Sequence, residues 1–318
     1  MFAAAKPGAG IYESFYLRAV SRRQPVGVWI RYTVHKRPGE SPTGSLWLTA
    51  FDAERGAPVM LKVTLPGPLA PPGGWIAIGD AVLGPGEASG SCAGARWTLR
   101  FEALEPPLRH LRPGWLYRAP LPRTKLTSPA PLARFDGVLE LPGRDPIELD
   151  GWPGMVGHNW GAEHAERWIW IHGCNFEDRP DAWLEVAAGR LALAGRSTPW
   201  VANGALGLDG ARHRLGGLLA RRPRIRETPA GCELELTGRE GSLTLQVEVP
   251  PGTAAGWHYA DPDGGEHDVV NCSIAALGVR LRAAGGEQLE LHSGHGGAYE
   301  LGMRERDHGV ALAPFGDG

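Results

Sequence analysis

The sequence predicts an all-β protein made of two successive antiparallel, barrel-like halves around an apolar pocket. Three observations predict it. Short runs rich in aromatic and β-branched residues alternate apolar and polar positions along most of the chain. Gly and Pro, 46 and 28 of the 318 residues, fall between those runs, where turns need them. No stretch carries a sustained helical period with caps at both ends.

The elements follow in order. Residues 12–20, 26–35 and 45–51 read as the opening strands, with 37–44 (RPGESPTG) as a hairpin loop. Further strands are expected at 59–65, 75–83, 96–103 and 137–141. The best helix candidate is short, at 161–167. A Pro-rich stretch at 121–131 reads as a linker, and the domain boundary is expected near Asp150, giving domains of residues 1–150 and 151–318. A second run of strands starts near Arg167, with 168–176, 182–187 and others up to 297–303. The segments VGVWIRYTVH/SLWLTAFDA and RWIWIHGCNF/AWLEVAAG echo each other, as duplication of one unit or chance likeness of two hairpins would produce.

Composition narrows the function classes. A formal net charge of −2 lacks the basic excess of a nucleic-acid surface. The run Arg221, Arg222, Arg224 and Arg226 reads as a solvated strand edge. No window is long and apolar enough for a transmembrane segment, and residues 1–10 lack the apolar core of a signal peptide, so a cytoplasmic location is expected. Cys92, Cys174, Cys232 and Cys272 are widely spaced, as reduced buried thiols are. The sequence carries no signature of an oligomeric state.

Chemistry-bearing residues are densest at 157–175, GHNWGAEHAERWIWIHGCN. Side chains alternate across a strand, so Trp168, Trp170 and His172 share one face if that stretch is extended. Two indoles and an imidazole make a wall for an apolar, π-rich ligand, and indole faces stabilise a developing cation. Packing of a dry core is the other reading of that face. The preceding Gly157-His158-Asn159-Trp160-Gly161 reads as a loop that aims side chains into a cavity. In the first half, Glu13 or Arg31 facing a barrel interior needs a partner or a ligand; facing solvent, neither does. The histidines show no workable ligand spacing for a metal, the Gly-rich stretches lack a strand–GxGxxG–helix context, and no G-x-S-x-G elbow is present.

Glu13-Ser14-Phe15-Tyr16, Trp29-Ile30-Arg31-Tyr32, Pro122-Arg123-Thr124-Lys125 with Ser128-Pro129, and Gly157-His158-Asn159-Trp160-Gly161 followed by Trp168-Ile169-Trp170 carry a resemblance. The chain resembles the superfamily of carotenoid hydratases of the hydroxyneurosporene synthase type, tocopherol cyclases and AttH-like proteins. That resemblance implies two tandem lipocalin-like antiparallel β-barrel domains. It also implies cofactor-free, acid-initiated hydration or cyclisation of a hydrophobic polyene or terpenoid, by a hydro-lyase or cyclase. The alternatives are a non-catalytic carrier of a lipid or secondary metabolite, and a pericyclase of Diels–Alderase type.

The hydratases of this superfamily carry an acid just before the His of the H-N-W-G segment, where this chain has Gly157. Glu163, Glu166 and Asp150 are the nearby substitutes. The expected proton donor is therefore His158, supported by Glu163 and Glu166. Its alternative role is to tie the linker between the barrels. Asn159, Trp160, Trp168, Trp170, His172, Asn175, Glu13, Trp29 and Arg31 are the expected substrate-binding residues. No metal and no cofactor are expected.

Overall fold

The computed structural model describes residues 2–4, 6, 8–193, 196–217, 220–238, 241–283 and 285–315. Its two principal sheets are antiparallel and barrel-like, the first nearly closed and the second closed. Helix is confined, among the described residues, to two 3₁₀ turns, Phe2–Ala4 and Gly114–Tyr117. The helix expected at 161–167 does not form: the segment between Gly161 and Arg167 consists of bends with no helical turn.

In the first sheet Ile11–Val20 is central. On one side the consecutive strands Val26–Lys36, Thr43–Asp52 and Gly56–Pro66 form a meander. On the other lie Ile147–Gly161, Thr124–Glu140 and Ala95–Ala103, then three short strands back to Ile76–Ile78. In the second sheet Arg167–Gly173 lies between Trp183–Arg190 and Gln288–Met303. Pairing of Leu215 with Gly238 closes the ring. The two echoing segments each supply neighbouring antiparallel strands, one pair per sheet. The strand containing Asp150 continues in the first sheet to Gly161, and the second sheet begins at Arg167.

Alternation explains the burial. Phe15, Leu17, Ala19, Val28, Ile30 and Tyr32 turn inward and form the first barrel's core. Trp29, Trp47 and Phe51 turn outward, yet are buried, because they pack against the core of the second sheet. The outer face of the first sheet is thus an interface rather than a solvated surface. The four cysteines are all buried and free. Arg224 and Arg226 pair across a hairpin with Glu235 and Glu233.

Arg18 fastens the two sheets together. It is fully buried, and its guanidinium donates to Nδ1 of His172 (2.8 Å), to the carbonyls of Gly296 (3.1 Å) and Ser273 (2.8 Å), and to Sγ of Cys174 (3.6 Å). With Nδ1 accepting, His172 uses its Nε2–H to donate to the carbonyl of Pro131 at 2.9 Å. That pattern requires a neutral ring. Burial, then the Arg18 charge, push its pKa down to about 3.

A pH effect on stability follows. The unfolded chain protonates His172 near pH 6.5 and the folded chain only near pH 3, so the unfolded state binds more protons between those values. Stability is full above pH 6.5 and is expected to fall on acidification, by up to about 1.4 kcal/mol per pH unit from this group. Urea midpoints measured at pH 7 and pH 4.5 test this. His172→Asn, which removes the titrating ring, is expected to flatten the slope; an unchanged slope would assign the acid sensitivity to other groups.

Candidate functional site

A cavity of about 210 Å³ lies where the two sheets meet, not within one barrel. The first sheet contributes Tyr12, Tyr16, Trp29, Arg31 and Asn159. The second contributes Trp168, Trp170, Tyr259 and Glu300, and the connection at 161–167 supplies His164. A mainly aromatic wall with a few polar groups is the form of a small-molecule site.

Several expected residues meet there. Trp168 and Trp170 do share a face, and both line the cavity, as do Asn159, Trp29 and Arg31. The indole N–H of Trp168 donates to Oε1 of Glu300 (2.8 Å), and that of Trp170 to Oε1 of Glu185 (3.1 Å). The ring of Trp170 meets Tyr16 edge-on at 5.5 Å. His172 shares their face but lies deeper, held by Arg18 and Pro131, and does not line the cavity.

Other expected residues lie elsewhere. The segment 157–161 is not a loop; it is the end of the strand Ile147–Gly161. Its glycines have steric causes. A Cβ at Gly157 would fall 2.2 Å from Cζ of Tyr16, and one at Gly161 would fall 2.2 Å from the carbonyl oxygen of Arg123. The phenol of Tyr16 therefore occupies the space that an acidic side chain at position 157 would need.

Within this strand, His158 points away from the cavity. Its Nε2 lies 2.8 Å from Oε1 of Glu13, and its ring stacks between Phe15 (3.8 Å) and Trp160 (4.6 Å). Burial pushes His158 below its ordinary pKa. Burial also acts to raise Glu13, but the hydrogen bonds from His158 and the Phe2 N–H outweigh it and hold the carboxyl low. Glu163 pairs with Arg123 (2.5 Å), and Glu166 does not line the cavity. Asn175, at φ 57°, donates to the carbonyl of Arg22 and does not line the cavity.

Sequence reasoning missed one polar arrangement on the wall. Nδ1 of His164 lies 2.6 Å from Oδ1 of Asp261, whose carboxylate also accepts the His164 backbone N–H at 2.8 Å. The imidazole is stacked on Tyr12 at 4.0 Å and on Trp168 at 5.3 Å. Its Nε2 is buried with no hydrogen-bond partner among the described residues. Burial acts to raise the pKa of Asp261, but the bonds from His164 outweigh it and keep the carboxyl below its ordinary value. This is an imidazole oriented by a carboxylate, with the other nitrogen free for a proton.

His267 lies behind the pair, its Nδ1 3.7 Å from Oδ2 of Asp261. One ligand atom from each of His164, Asp261 and His267 lies within 4.8 Å of the others, a set that could hold a divalent first-row metal. Burial and the neighbouring His164 push His267 down to about 4.

No protein-family profile matches the sequence. The uncharacterized Mycobacterium tuberculosis protein Rv0493c is 27% identical over 301 residues, covering 93% of this chain and 87% of that protein; its counterpart MT0513 in a second strain matches equally. Among solved structures, an AttH-type protein of Nitrosomonas europaea superposes with a TM-score of 0.59 at 14% identity, covering 93% of both chains. The fold is the AttH-like two-barrel fold. Kievitone hydratase from Nectria haematococca shares it, with a TM-score of 0.58 at 9% identity over 93% of this chain and 89% of that one. So does CghA, crystallised with Sch210972, at 0.59 and 14% over 92% and 88%. No helix among the described residues is long and apolar enough to cross a membrane.

Proposed function

We propose that the protein is an enzyme that hydrates or cyclises a hydrophobic polyene or terpenoid by proton transfer in the cavity between its sheets. The observation that carries this reading is the His164–Asp261 pair on an otherwise aromatic wall. Its likeness in fold to a hydratase supports the reaction class.

In this reading Nε2 of the His164 imidazolium gives its proton to an alkene carbon, whose π pair becomes the new C–H bond. Asp261 stabilises the imidazolium and holds the ring. The cation left on the neighbouring carbon faces the π-systems of Trp168, Trp170 and Tyr259. Quenching by water forms a C–O bond and returns a proton to the imidazole. Quenching by an internal alkene forms a C–C bond, and a proton lost from the adjacent carbon restores the catalyst. His164 thus takes the role expected of His158, which the inner face of the first sheet keeps from this cavity.

The test is to incubate the purified protein with candidate polyenes in D₂O and analyse the products by mass spectrometry. Hydration adds one water with a carbon-bound deuterium; cyclisation gives an isomer that carries deuterium. Retention of the polyene unchanged would instead indicate a carrier, and an isomer without deuterium a pericyclic closure. Dialysis against EDTA is expected to leave turnover intact. Loss on chelation, restored by Zn²⁺, would move the chemistry to a metal on His164, Asp261 and His267.

A further inference from the structure

We propose that the cavity recognises an anionic oxygen group, a carboxylate, on its apolar ligand, and that Arg31 is the residue that binds it. The inference deepens the function proposed above and rests on the same cavity being the ligand site.

Arg31 is an unusual element of an apolar wall. It is 3% exposed, lines the cavity, and has no carboxylate within ion-pair distance among the described residues. Its guanidinium lies over the ring of Tyr259 at 4.0 Å and near that of Trp47 at 5.4 Å. The aromatic faces hold the group flat and do not use its in-plane donors. Nε donates to Oγ of Ser14 at 2.8 Å, and Ser14 is itself 3.0 Å from Oγ1 of Thr33, which fixes the side chain from behind. Nη1 is buried with no hydrogen-bond partner among the described residues.

A buried cation without a counter-charge is costly to fold around. The carboxylates in and behind the wall are already engaged by other donors. Glu300 accepts from Trp168 and Asn271, and Glu185, just behind Trp170, accepts from Ser128 and Trp170. Among the buried cations of the lining, Arg31 keeps an unused donor in Nη1, and its Nη edge matches the two oxygens of a carboxylate. Arg112, exposed and also on the lining, adds positive charge for an entering anion.

The probes are cis-parinaric acid and its methyl ester, which share the polyene chain and differ in charge. Binding is followed by energy transfer from tryptophan at pH 8. The acid is expected to bind about tenfold to a hundredfold more tightly than the ester. Arg31→Met is expected to abolish that preference while ester binding persists, and Arg31→Lys to retain part of it. The melting temperature of ligand-free Arg31→Met should equal or exceed that of the unchanged protein, since an unpaired buried charge is removed. Equal binding of acid and ester, or a preference that survives in Arg31→Met, would overturn the proposal. The ester reports the cavity alone: if it binds without any acid preference, only the anion subsite fails. If neither probe binds, the cavity reading fails with it.

Discussion

Replacing His164 with glutamine is expected to lower turnover by about 10²–10⁴-fold, the usual scale for a lost general acid. Glutamine keeps a polar group of similar reach beside Oδ1 of Asp261, 2.6 Å from Nδ1 in the present structure, but cannot carry a proton to an alkene. Ligand binding and the melting temperature are expected to change little, because the stacking platform of Tyr12 and Trp168 remains. Asp261→Asn should slow the reaction less, since the ring stays in place and loses the charge that stabilises its protonated form. The measurement is the rate of deuterium incorporation into product, with binding followed in parallel. Full activity in His164→Gln, with a lowered melting temperature, would assign the pair to the scaffold and remove it from the mechanism.

Arg18→Ala is expected to produce the largest loss of stability. Two backbone carbonyls of the second sheet, those of Ser273 and Gly296, and the Nδ1 of His172 would lose their donor in a site closed to water. An unsatisfied buried group costs about 1–3 kcal/mol, so the sum is about 3 kcal/mol or more. That is a large share of the about 5–15 kcal/mol that typical domains have in total. Because Arg18 belongs to the first sheet and its partners to the second, the loss should appear as earlier separation of the two halves. A urea transition that shifts down and becomes broader or biphasic is the expected readout. A midpoint within the error of the unchanged protein would show that water replaces the guanidinium at no cost.

How the sequence was legible depends on the range of the interaction. Period-two alternation is local, so the strands around Tyr12, Trp29 and Trp168 could be read directly, and with them the shared face of Trp168 and Trp170. Glycine misled at Gly157 and Gly161 because it is local evidence for a turn, whereas here it marks close approach inside a strand. Tyr16 and the Arg123 carbonyl, which impose that approach, lie far away in sequence. The solvent-or-interior question for Arg31 resolved into a third option, an outer face covered by another sheet.

Taken by itself, then, the sequence determined an all-β chain, the order of its hairpins and the aromatic face of the strand Arg167–Gly173, since each rests on neighbours within a few residues. Only the tertiary structure decided which faces became a cavity. His164 meets Asp261 across 97 positions, and Arg18 meets His172 across 154. No propensity or spacing encodes such a pairing. It exists because the outer face of one sheet was buried against the other, where each charged or polar group must find a partner, and where the donors of Arg31 that found none mark the place for a ligand.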